Sequence, residues 1–160
     1  MSPSGKTVGE SASEYVELAL PNDSNGLGHV LGGKVMHLVD LAAAMAAMRH
    51  ARRAVVTASV DSFHFLHPVH IGELIMLRSS VNRVFRTSME VGVRVVTEKL
   101  LTGERLHTCS AYLTFVALDE NGAPVPIAPV IPETEDEKRR YQQAGERRRY
   151  RLEMRQRLSS

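Results

Sequence analysis

Between Lys34 and His50 the chain runs KVMHLVDLAAAMAAMRH, seventeen residues with no Pro and no Gly. Ala, Met and Leu are strong helix formers, so the run predicts a helix of four to five turns. Its apolar residues, Val35, Met36, Leu38, Val39 and the stretch Leu41 to Met48, cover the whole circumference. A helix that is apolar all round is a buried one, so the rest of the chain must wrap around it. One acid, Asp40, stands in the middle. A lone carboxylate among methyl groups is costly to bury, so it must be paired, neutralised or turned toward a cleft. Asp40 is therefore either a structural residue bonded to loop amides or a general base or nucleophile.

The surrounding sequence changes period. Glu14 to Leu20 alternates, with Val16, Leu18 and Leu20 on one face, and reads as a strand. Pro21 to Gly33 holds four Gly, two Asn, one Asp and one Pro, which is loop chemistry. After the helix, segments 54–62, 74–84, 88–96 and 106–118 are rich in β-branched residues. In 88–95, Met89, Val91, Val93 and Val95 alternate with Glu90, Gly92 and Arg94, which predicts one dry face and one wet face. A strand, a long helix and then four or more strands predict an α+β domain: one antiparallel sheet with the helix on one face. Four prolines between Pro124 and Pro132 close the sheet. Residues 133–160 form a charged segment with acids first and Arg later, the order a helix dipole favours, and predict a peripheral helix. The division is a loose leader over 1–12, one domain over 13–132, and a charged tail over 133–160.

Charge is unevenly spread. Residues 1–137 hold 11 Lys and Arg against 16 Asp and Glu, whereas 138–160 hold 9 against 2. The basic character belongs to the tail, and no aromatic-rich base-reading module accompanies it, so nucleic acid is not the expected partner. The longest apolar run, Leu41 to Met48, is too short to cross a bilayer. The start MSPSGKTVGESASEY has no apolar stretch of a secretory signal, and a single Cys excludes a disulfide framework; a cytoplasmic location is expected.

Several residues carry possible chemistry. Gly32 and Gly33 precede the helix where its dipole favours negative charge, so their amides can receive an oxyanion, although a Gly-Gly pair also serves tight turns. Gly33 lies seven residues before Asp40, about two turns, on the same side of the helix. Asn25 is a turn former or an amide delivered to a reacting carbonyl. His64, His67 and His70 alternate faces on a strand and flank Pro68, which disfavours a shared metal. His37, one turn before Asp40, is a candidate Asp–His partner. Cys109 reads as core. No phosphate loop, dinucleotide fingerprint or nucleophile elbow is present.

The run PNDSNGLGHVLGGKVMHLVD (21–40) resembles the loop-and-helix signature of the hot-dog fold acyl-CoA thioesterases, in the branch of the brain-type acyl-CoA hydrolases and their bacterial relatives. The resemblance continues through VVTASVDSFHFLHPVHIGEL (55–74), RTSMEVGVRV (86–95), CSAYLTFVALDENG (109–122) and KRRYQQAGERRRY (138–150). It implies a long antiparallel sheet wrapped around one central helix, edge-to-edge dimers that assemble into hexamers, and hydrolysis of fatty acyl-CoA without metal or other cofactor. On this resemblance Asp40 is the catalytic acid, Asn25 is supplied across the dimer interface, and the Gly33 amide, beside Gly32, polarises the thioester carbonyl. Arg86, Thr87 and Ser88 match a stretch that contacts CoA, and Ser62 lies on a strand bordering the site. His64 stands where relatives carry Asn or Asp, and His29 where they carry small or acidic residues. A hot-dog hydratase or dehydratase using His37, and a non-catalytic acyl-CoA or nucleic-acid binder using the basic tail, are the competing readings.

Overall fold

The computed structural model describes residues 4–159. In chain order they form β1 (Lys6–Thr7), β2 (Ser13–Leu18), α1 (Gly32–Ala51), β3 (Ala54–Phe65), β4 (Leu74–Val84), β5 (Ser88–Glu98), β6 (Arg105–Leu118), β7 (Val130–Ile131) and α2 (Glu135–Ser159). Five strands pair antiparallel in the order β2-β4-β5-β6-β3, and β1 pairs in parallel with β7. Because β2 and β3 occupy opposite edges, α1, which joins them, must cross the sheet's face. The single sheet around one long helix is thus as the sequence leads one to expect, with β4 over its full expected span.

The core lies between α1 and the inner sheet face. Val35, Leu38, Val39, Ala42, Ala43, Ala46 and Ala47 pack against Leu77, Val81, Met89, Val91, Val93, Val95, Leu113 and Phe115. Four alanines on this face let the sheet come close enough for the Ser79 hydroxyl to donate to the Ala42 carbonyl at 2.7 Å. The helix ends at Arg52, which adopts a left-handed conformation (φ 53°) and donates its amide to the Met48 carbonyl.

Three expectations need correction. The leader 1–12 is not loose where it is described: β1 and a 3-10 turn over Val8–Glu10 follow Gly5, and Ser11 is fully buried, its hydroxyl accepting from the Val81 amide at 3.0 Å. Residues 1–3 of that leader lie outside the described residues. Second, α1 is not buried all round, for Met36, Leu41 and Met48 are 46%, 38% and 44% exposed in the single chain. Third, the wet face of β5 is covered at one end, at Glu90, while Arg94 further along is exposed as expected. Glu90 is fully buried because α2 lies across the outer face of the sheet.

Helix α2 is entered through a capping box. The Glu137 amide donates to the Thr134 hydroxyl and the Thr134 amide to the Glu137 carboxylate. It is fixed by charge rather than by an apolar stripe. Arg147 forks onto both Glu90 oxygens at 3.0 and 2.7 Å and stacks 3.6 Å from the Tyr112 ring centre. Arg151 meets Asp61 at 2.6 Å. Burial pulls the Arg147 pKa down, but the hydrogen bond and charge of Glu90 outweigh it, so the guanidinium is held above its usual range. Arg83 lies 4.2 Å from the Tyr141 ring centre and against Gly145, where a Cβ would stand 2.5 Å from its Nη1. Gly145 therefore admits the arginine, and the helix runs through it without a break.

Candidate active site

The loop before α1 is folded back on itself, which fixes where the helix begins. The Leu31 amide donates to the Asp23 carbonyl, Asn25 donates to His29, and Val30 donates to Val69. Asn25 is exposed and its Oδ1 accepts from the Leu27 amide at 2.9 Å, so within the single chain its side chain closes a turn. No hydrogen bond joins it to Asp40 among the described residues.

Gly32 and Gly33 form the first turn of α1, with Leu31 at the cap and no capping side chain. Neither glycine has positive φ, so backbone conformation does not require glycine at either place. What their missing side chains do is leave the turn open. A Cβ on Gly33 would meet nothing within 4 Å, and one on Gly32 would rest 3.6 Å from the Phe65 ring. Their amides belong to the first turn, which has no intrahelical acceptors.

Asp40 lies two turns further on, about 10 Å along the axis, and helical side chains lean back toward the N-terminus, which shortens the gap to that open turn. The carboxylate is half-buried on the stripe that includes Met36 and Ala44. Its Oδ1 accepts the Thr57 hydroxyl at 2.8 Å, leaving Oδ2 without a hydrogen-bond partner among the described residues. His37 is exposed and is not bonded to Asp40. Thr57 is the residue that sequence reasoning missed. The only available signal was a polar side chain in the otherwise apolar start of β3, which does not say which face it takes.

That face is set by an irregularity in β3. Thr57 is opposite Phe115, a core residue, whereas Ser59 is opposite Thr114 and Asp61 opposite Tyr112, both on the face covered by α2. Residues two apart normally share a face; the bulge at Ala58 switches them, so Thr57 turns to Asp40 and Ser59 to α2. A second bulge follows at Ser62, which holds a φ of 35°. Phe65, opposite buried Cys109, returns to the inner face over Gly32.

The remaining candidates divide between faces. Ser62 and Ser88 line a groove between the outer sheet face and α2. Arg86 and Thr87 occupy the β4–β5 turn, where the Arg86 carbonyl accepts from Ile127 and the Thr87 carbonyl from Ala117, while the Arg86 side chain is exposed. His64 is exposed opposite Ser110. His70 is elsewhere, with its Nδ1 on Glu73 at 2.8 Å and its ring edge-on to His29 at 4.8 Å. Cys109 is buried, which pushes its thiol up to about 11.

Residues 27–104 match the family model described as the thioesterase superfamily. Similar proteins include the uncharacterized acyl-CoA thioester hydrolase YkhA of Bacillus subtilis, 44% identical over 135 residues, covering 84% of this chain and 78% of that one. The cytosolic acyl coenzyme A thioester hydrolase of Rattus norvegicus is 34% identical over 145 residues, and here the chain spans 38% of the relative's length. Among solved structures, an apo-hexameric acyl-CoA thioesterase superposes with a TM-score of 0.92 at 45% identity, covering 95% and 97% of the two chains. An acyl-CoA hydrolase from Staphylococcus aureus, in complex with butyryl coenzyme A, coenzyme A and coenzyme A disulfide, gives 0.86 at 34% identity, with 96% of each chain covered. Single variants of that enzyme, with Ala in place of an Asp, an Asn or a Thr, have also been solved. Identity across most of its length, together with a sheet wrapped around one helix, makes this chain a member of the thioesterase superfamily, in its hot-dog-fold acyl-CoA thioester hydrolase branch.

Proposed function

We propose that this protein hydrolyses fatty acyl-CoA to the free acid and CoA, with Asp40 as the group that activates or delivers the attacking oxygen. The observation that carries the reading is the Asp40–Thr57 hydrogen bond, on the same helix as the open Gly32-Gly33 turn. Thr57 fixes one carboxylate oxygen and leaves the other free to take a proton from water or to attack the carbonyl carbon directly. The Gly33 amide, at the positive end of the helix dipole, receives the carbonyl oxygen as it becomes negative; a donor so placed is typically worth about a hundred- to a thousandfold. The Staphylococcus aureus variants support the residue choice. Their Asn, Asp and Thr are 15 and 17 residues apart, the spacing of Asn25, Asp40 and Thr57 here.

Asn25 acts from a second subunit in this reading, since its own chain does not bring it to Asp40. The exposed stripe Met36, Leu41 and Met48, with exposed Val60 on the same face of edge strand β3, is the surface a partner chain would cover. The dimer then assembles further, as in the hexameric relative. No described helix is long and apolar enough to cross a membrane, and a cytosolic relative supports a cytoplasmic location. Arg86, Thr87, Ser88, Ser62 and His64 are assigned to the CoA moiety. The reaction needs no metal or added cofactor.

Asp40→Asn is expected to lower kcat for thiol release from acyl-CoA by at least about a hundredfold while leaving the circular-dichroism spectrum unchanged. Turnover close to wild type from that variant would remove Asp40 from the mechanism.

A further inference from the structure

The loop that carries Asn25 is held firmly within its own chain. The Asn25 amide donates to the His29 carbonyl, Leu31 to Asp23, Val30 to Val69, and Ile71 to Gly28. The His29 ring rests edge-on against His70, whose amide and Nδ1 meet the buried Glu73 carboxylate at 2.7 and 2.8 Å. At the apex of this loop stands Leu27, 78% exposed. It is flanked by Gly26 and Gly28, whose φ values of 88° and 81° would strain any residue with a side chain. The backbone is thus bent so that an apolar side chain is displayed rather than folded in.

A single exposed leucine is ordinary on a protein surface. This one is coupled to the site. Its amide donates to Asn25 Oδ1 at 2.9 Å, which locks the Asn side chain into a turn and leaves Nδ2 with no hydrogen-bond partner among the described residues. Two residues span at most about 7 Å, so wherever Asn25 is delivered, Leu27 arrives beside it. The surface around the acid is equally defined. Met36 precedes Asp40 by one turn of α1, about 6 Å along the axis, and is 46% exposed in the single chain. The acid therefore has an exposed apolar neighbour on its own helix, and the amide has one on its own loop.

Resting on the shared-site reading above, we propose that Leu27 seats the Asn25 loop on a second copy of this chain by packing on Met36 of the partner subunit. Leu27 is then a positioning residue that touches neither substrate nor the reacting atoms. Burying the two side chains against each other removes both from water, and the flexible thioether chain adapts to the contact. The turn transmits the placement, since Asn25 cannot shift without moving the Leu27 amide bonded to it. A two-fold interface makes the contact twice, once at each site.

Full-length Asn25→Ala and Asp40→Asn chains, differently tagged, are co-expressed and the mixed assemblies purified. A site shared between subunits regenerates one intact Asn25 and Asp40 pair per mixed dimer, so roughly a quarter of wild-type turnover of acyl-CoA should return under random pairing. Leu27→Ser is then placed on one chain at a time. On the Asp40→Asn chain, which supplies the working Asn25, it is expected to lower the recovered kcat about tenfold or more, because a small misplacement of a positioned group is that costly. On the Asn25→Ala chain its effect should stay within about twofold, since that loop serves a site without its acid. Leu27→Met on the supplying chain should retain most of the recovered activity. Equal losses in the two placements, or no loss in either, overturn the anchor while leaving the shared site standing. No recovery in the parent mixture removes the shared site, and the anchor with it. A contact readout needs no activity: a Leu27→Cys chain co-expressed with a Met36→Cys chain should give a dimer-mass band on a non-reducing gel after mild oxidation, Cys109 being buried. Absence of that band overturns the proposal even where thiol release is intact, and its presence supports the contact even should the wild-type protein release no thiol from acyl-CoA.

Discussion

Helix α1 meets the sheet through Leu38, Ala42, Ala43 and Ala46, whereas helix α2 meets the opposite face through Arg147 and Arg151. The first contact is made of small apolar surfaces, is non-directional, and depends on volume. The second depends on particular atoms, since a fully buried Glu90 is tolerable only while Arg147 forks onto it and Asn82 donates to it at 3.0 Å. The difference teaches where function can reside. α1 can carry a carboxylate because its packing face is complete without it, and its open stripe leaves Asp40 accessible. α2 contributes little core, so its arginines hold the outer face or reach a ligand.

The sharpest way to break this contrast is Arg147→Ala. It strands a buried carboxylate and is expected to cost about 3–5 kcal/mol in chemical denaturation. Replacing the pair together, Glu90→Leu with Arg147→Met, should recover most of that loss, because a well-packed apolar pair avoids the desolvation. Failure of the double variant to recover would mean the ion pair is not what fixes α2.

On the other face, Ala43→Leu should cost about 1–3 kcal/mol, because the close approach of sheet and helix leaves no room for added methylenes. Unchanged denaturation would show that the inner face is not close-packed.

The smallest effect expected is a pH dependence. His50 is buried and donates through Nε2 to the Ala128 carbonyl at 2.7 Å, while Nδ1 has no partner among the described residues. Burial holds its pKa below the ordinary 6.5. The unfolded chain therefore binds a proton near pH 6.5 that the fold refuses, so stability should fall as pH drops below about 6.5. In His50→Phe the slope of Tm against pH over that window should flatten; an identical slope would assign the dependence to other groups.

Much of this was legible in the residues. The breaker-free run fixed α1, the β-branched segments placed four strands, and the single acid in an apolar helix marked Asp40. The open Gly-Gly turn was visible as well. Three things were not. Thr57 was hidden because its face depends on a bulge that strand periodicity cannot announce. Glu90 read as wet because alternation reports two faces and not what covers them. The accessible stripe of α1 was hidden because an apolar side chain looks the same whether a sheet or a partner subunit is to cover it.

Local sequence determines backbone preference and which residues seek water, and here that sufficed for a helix, a sheet and a suspicious carboxylate. Which charged groups meet was decided only in three dimensions. Arg147 and Glu90 are 57 residues apart, and Arg151 and Asp61 are 90 apart. Coulombic and hydrogen-bond energies depend on distance in space, and sequence separation does not record that distance until the chain has closed.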